Sequence, residues 1–227
     1  MTVQTSLLSS VSAFFLFLSR SQVSDPPSAL DSTAEVRAVF DTPVYLEYVV
    51  TLAERQVGTD LHVANHSDTD ALQFQALFHN YIRAPAKDVT ISPLTGKYYF
   101  DKTETTAEAR STPKVEQRKA VDVQKFTDSV YEDGGQAYEV GWPKGGIQIN
   151  TEGLKDVVIW NPQETAGKAI GDMEDGGWCV RPAGFRDGNL HLPREKYVCV
   201  EPGHVQGYVT LPVGGSWVGR QILRYGW

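Results

Sequence analysis

"VYLEYVVTLAERQVGTDLHVANHS", residues 44–67, decides the fold class. In "VYLEYVVTLAE" (44–54) and "TDLHVANHS" (59–67), Val, Tyr, Leu and Thr recur with the two-residue period of a half-buried strand. The linker "RQVGTD" carries a glycine, so the pair is expected to close as a hairpin. The same pattern repeats downstream in "LQFQALFHNYIRA" (72–84), "DVTISPL" (88–94) and "KYYFDKT" (97–103), with "SDTDA" and "PLTGK" as turns.

Residues 103–120, "TETTAEARSTPKVEQRKA", are polar and aperiodic and read as an exposed excursion. Strands resume in "AVDVQKFTDSVYED" (120–133) and "GIQINTEG" (146–153). "KDVVIWNP" (155–162) is almost wholly apolar, as a strand covered on both faces should be. The Gly-, Pro- and charge-rich run at 168–195 reads as a long loop with one short helical turn near Ala169. "KYVCVEPGHV" (196–205), "YVTLPVGGSW" (208–217) and "GRQILRYGW" (219–227) complete the set. The chain holds no long amphipathic helix and no fixed repeat. The expected architecture is all-β, a large antiparallel sandwich of two packed sheets.

Composition narrows the partners. The 227-residue chain is 41% hydrophobic, enough for a sizeable core, and its formal net charge is −7. It has no clustered Lys and Arg to hold a phosphate backbone, so no nucleic acid is expected. The apolar core of "VSAFFLFLSRS" (11–21), Ala13–Leu18, is too short to span a bilayer, and residues 1–10 lack the positive charge of a secretory leader. A buried strand or a loose tail is expected there, with no membrane partner and a cytoplasmic location. Cys179 and Cys199 lie in the same C-terminal third, where a disulfide is sterically conceivable, but two reduced thiols of such a protein are the favoured reading.

Of His62, His66, His79, His191 and His204, no pair has helical metal-ligand spacing, and no cysteine pair makes a zinc knuckle. Phosphate-cradling glycine loops and the Gly-x-Ser-x-Gly elbow are missing. Neither metal nor cofactor is expected. In "LFHNYIR" (77–83), period two puts Leu77, His79 and Tyr81 on one face. His79 is either a core imidazole or a proton donor lining a concave sheet. Glu201 follows the "YVCV" strand and precedes Pro202–Gly203, read as a turn that mounts the carboxylate rigidly. Taken singly, Asp128 in "FTDSVY" and Asp101 in "YFDKT" read as turn formers, and Trp160 and Trp217 as core.

Together, "LFHNYIR" (77–83), "FTDSVY" (126–131), "KDVVIWNP" (155–162) and "VCVEPGHV" with "VTLPVGGSWVGRQIL" (198–223) resemble the hexose-6-phosphate mutarotases, or glucose-6-phosphate 1-epimerases, of the aldose 1-epimerase superfamily. The resemblance runs from Val44 to Leu223. It implies a galactose mutarotase-like supersandwich over 44–227 with a concave sugar site. It also implies Glu201 as catalytic base, His79 as catalytic acid, and Asp128 as an acceptor for sugar hydroxyls. Asp101 is a weaker candidate for the same wall, and Trp160 and Tyr81 would floor the cleft.

Residues 1–43 depart from the family pattern. They carry neither its Pro-His-Gly-Phe-like segment nor its phosphate-holding arginines, and Arg20 and Arg37 match no family position. This segment is therefore read as divergent and the sandwich as N-terminally incomplete. An incomplete sandwich leaves a sheet edge on which copies of the chain can associate. A second departure, residues 172–194, stands next to the Glu201 strand, where it could lid or block the site. Beside the enzyme stands a second reading, a catalytically silent sugar-binding or regulatory sandwich.

Overall fold

The computed structural model describes residues 11–19, 43–163 and 197–226. Among the described residues, thirteen strands form two antiparallel sheets. They are β1 (Val11–Ser19), β2 (Val44–Ala53), β3 (Gln56–Asn65), β4 (Leu72–Arg83), β5 (Thr90–Ser92), β6 (Tyr98–Asp101), β7 (Lys114–Val115), β8 (Thr127–Tyr131), β9 (Ala137–Trp142), β10 (Gly145–Glu152), β11 (Asp156–Asn161), β12 (Tyr197–Leu211) and β13 (Ser216–Tyr225). One sheet has the order β1-β4-β12-β11-β8-β6-β7, the other β2-β3-β13-β10-β9-β5. The two-sheet β-architecture expected from the period is present. Cys179, His191, Arg20, Arg37 and the loop at 168–195 lie outside the described residues.

Residues 44–65 do form a hairpin, with a tighter turn than the sequence suggests. Arg55 takes a positive φ of 59°, and "QVG" belongs to β3 rather than to the turn. The 103–120 excursion holds a short helix, α1 (Ala107–Ser111), capped by the Thr106 hydroxyl, which accepts from the Ala109 N–H at 3.1 Å. It also holds β7 and the buried Glu116. Glu116 accepts a forked pair from Arg118 at 2.9 and 2.7 Å and the Tyr131 hydroxyl at 2.6 Å. Against burial, these donors hold its carboxyl down to about 2. β1 lies within residues 1–43 and adds an edge strand antiparallel to β4, Ala13 opposite His79.

Two apolar clusters fill the space between the sheets. Ile82, Tyr131, Val157, Ile159, Val198 and Val200 meet Ile91, Tyr138, Val140 and Ile149 in one. Phe74, Phe78 and Leu72 meet Leu61 and Val63 in the other, where Trp217 stands edge-on to Phe74 at 5.3 Å. β11 is the covered central strand its composition predicts, buried except at Trp160. A buried amide pair ties the sheets together beneath the site: Asn80 and Gln221 exchange hydrogen bonds at 2.7 and 2.9 Å, and Asn80 also donates to the Val200 carbonyl at 3.0 Å.

One expectation is overturned. Pro202–Gly203 is not a turn: β12 runs through both residues and bulges between His204 and Val209. The ladder between β12 and β4 lapses between Cys199 and Gly203, where Pro202 has no N–H to give. Gly203 is required because β12 presses on β4; a Cβ there would stand 2.6 Å from that of Leu77 and 2.7 Å from the Ala76 carbonyl. The bulge is pinned by the buried Asp156 carboxylate, which accepts from the Val205 and Gln206 N–H groups, each at 2.8 Å. Glu201 is thus mounted mid-strand, by packing and a buried acceptor rather than by turn rigidity.

Candidate functional site

β4, β12, β11 and β8 lie side by side, and their alternate residues point away from the core. Register turns this into two cross-strand rows. Tyr81, Cys199, Trp160 and Asp128 stand opposite one another in succession. In the next row Val130 faces Val158, and Val158 faces Glu201. The β4–β12 pairs on both sides of the ladder gap keep one register, which sets Glu201 level with His79. Four sequence candidates, His79, Glu201, Trp160 and Asp128, therefore share one sheet face.

His79 and Glu201 meet directly, with Nε2 and Oε1 3.1 Å apart. The ring N–H is not aligned on the carboxylate, so proximity rather than a formed hydrogen bond joins them. The Glu201 side chain is 4% exposed and that of His79 is 17% exposed. Tyr81 stacks on the imidazole at 4.7 Å and 22°, and Trp160 meets it edge-on at 5.9 Å and 71°. These aromatic contacts fix the ring plane.

Burial pushes the Glu201 carboxyl well up, and the negative charge of Asp128 adds to the push. Burial brings the His79 imidazole down to about 4. Both shifts favour the neutral forms, in which the pair holds one proton, on the carboxyl. The alternative placement, carboxylate beside imidazolium, holds the same single proton. Asp128 is also pushed up by burial, with the Lys102 charge opposing.

Asp101 is not brought to this face. It stands opposite Ser129, on the other parity of β6, and its carboxylate is taken by Lys114 at 3.0 Å and the Thr103 hydroxyl at 2.6 Å. Against burial, Thr103 and Lys114 hold that carboxyl below its ordinary range. Cys199 is a buried free thiol between Tyr81 and Trp160. Its position beside Glu201 is legible from period two, since 197, 199 and 201 share a face. The support from Asn80, Gln221 and Asp156 is not legible, because each acts across a long sequence separation.

A solved structure covers 95% of this chain at a TM-score of 0.65: a "putative mutarotase" from Salmonella typhimurium, 15% identical. The chain has the galactose mutarotase-like fold. It spans 61% of that structure. The galactose mutarotase related enzyme of Lactobacillus acidophilus, 15% identical with a TM-score of 0.61, shares the fold over 94% of this chain and 68% of its own. In sequence, 75 residues are 32% identical to a "Putative glucose-6-phosphate 1-epimerase" of Cenchrus ciliaris, 33% of this chain and 18% of the relative. No family model matches the sequence. Within this mutarotase-like fold the candidate face belongs to the seven-stranded sheet, and among the described residues no helix is long and apolar enough to cross a membrane.

Proposed function

We propose that this face binds a hexose, with hexose 6-phosphate as the preferred form, and interconverts its α and β anomers. The observation that carries the reading is the 3.1 Å approach of His79 and Glu201 on a sheet face floored by aromatic rings. Ring opening takes the proton from the anomeric hydroxyl, breaks C1–O5 and returns a proton to O5. Both oxygens sit on C1, so two adjoining groups reach both. Rotation about C1–C2 and re-closure with roles reversed give the other anomer.

By resemblance, Glu201 is the base and His79 the acid, the roles of the carboxylate–imidazolium placement; the neutral placement that burial favours exchanges them. The pair meets the proton balance of the reaction in either placement, because it holds one proton to give and one vacant site to receive. Asp128 lies two strands from Glu201, about 10 Å across the sheet, where a carboxylate accepts from hydroxyls on the far side of the ring. Trp160 lies between them as a floor for the apolar sugar face. The preference for phosphate rests on the name of the Cenchrus ciliaris relative and on Arg83, level with Tyr197 on the same parity of β4 as His79 and Tyr81.

The test is anomer exchange of glucose and glucose 6-phosphate followed by NMR. Faster exchange with protein present supports the enzyme. Sugar-induced shifts without faster exchange support the silent binding module.

A further inference from the structure

We propose that His79, Cys199 and Glu201 also form a binding site for a divalent transition-metal ion of the zinc type, one that excludes sugar from the same face. The metal site stands on the side chains alone; only the competition rests on the proposed function. Each residue offers one ligand atom, and the imidazole nitrogen, the thiol sulfur and the carboxylate oxygen all lie within 4.8 Å of one another. A tetrahedral zinc ion holds such atoms roughly 3.3–3.8 Å apart, so closure needs about an ångström of side-chain movement. Cys199 and Glu201 are neighbours on one face of one strand, and His79 is level with Glu201 on the next. Tyr81 and Trp160 already hold the imidazole plane.

Charge selects the ion. A thiolate, a carboxylate and a neutral imidazole total two negative charges, so a divalent ion makes the buried site neutral. A monovalent or trivalent ion leaves net charge in a poorly solvated place. Binding releases two protons, one from the Cys199 thiol and one from the His79–Glu201 pair, with no change of oxidation state. Asp128, level with Cys199 across β11 and one row from Glu201, adds negative potential without ligating. The mixed sulfur, nitrogen and oxygen set suits Zn²⁺, Co²⁺ and Cd²⁺ and disfavours Mg²⁺ and Ca²⁺. Three protein ligands leave a fourth position for water on the side where His79 is open.

The experiment is titration of the purified full chain with Co²⁺, read by absorption. One equivalent should give a thiolate-to-cobalt charge-transfer band with the visible bands of a four-coordinate ion, displaced by Zn²⁺ and not by Mg²⁺. Cys199→Ser should abolish the charge-transfer band and weaken Zn²⁺ by more than about 100-fold, since a direct ligand matters more than an outer-shell partner. Cys179→Ser should keep both, which also covers the case in which Cys199→Ser fails to fold. A chain without the band, or a band that survives in Cys199→Ser or vanishes in Cys179→Ser, overturns the site. Zn²⁺ should also raise the apparent KM for sugar. If the chain turns over no sugar the optical result still stands, and if the band is missing the epimerase reading is untouched.

Discussion

Replacing Glu201 by glutamine separates the chemistry of the site from its stability. The side chain is 4% exposed and sits 3.1 Å from the imidazole, so the amide keeps size and packing while removing the acidic proton and the basic oxygen. Loss of one positioned proton-transfer partner should lower kcat about 10²–10⁴-fold, or roughly 3–5 kcal/mol of barrier, with little change in KM. Stability discriminates further. Burial holds this carboxyl toward its neutral form while the unfolded chain ionises it, so the nearly isosteric amide, neutral in both states, should lose no stability at pH 7 and should gain some. Were the resting pair an ion pair, the same change would strand a buried imidazolium at a cost of about 3–5 kcal/mol. NMR exchange between the anomers of glucose 6-phosphate and urea unfolding at pH 7 supply the two readouts. More than a tenth of wild-type exchange in the variant would refute the catalytic assignment, and a loss of about 3 kcal/mol would refute the neutral pair.

The depressed His79 imidazole makes stability fall with acid: its contribution is complete above the ordinary value of 6.5 and is lost as pH drops through about 4. The full loss should be roughly 3 kcal/mol, and His79→Asn should remove that dependence in melts between pH 7 and 4. Asp128→Asn should raise KM about tenfold with a smaller effect on kcat, and an unchanged KM would exclude it from the sugar wall. Leu46, Tyr48, Val50 and Leu52 line up exposed on the edge strand β2, on the parity of the core residues Leu61 and Val63. Self-association through this edge should make the sedimentation mass rise with concentration, and Val50→Lys should suppress the rise. A monomer at every concentration would refute it.

Period two and turn residues carry the fold class, because alternation is local and each strand displays it alone. "VYLEYVVTLA", "LQFQALFHNYIR" and "DVVIWN" were legible as strands, and the last as a covered one. "AYEVGW" (137–142), which forms β9, is less legible, since glycines blur its ends. The face shared by Leu77, His79 and Tyr81 was equally legible. The meeting of His79 with Glu201 was not readable from period alone; family resemblance pointed to both residues. Their distance depends on the β4–β12 register, set where Gly203 lets the backbones close and Asp156 pins the bulge. Asp101 marks the limit of local reading. It looks like Asp128 in sequence, yet its register opposite Ser129 sends it to the other face and to Lys114. Alternation tells which residues of one strand travel together, but only the pairing of strands distant along the chain decides which face that is, because a slip of one residue exchanges the two.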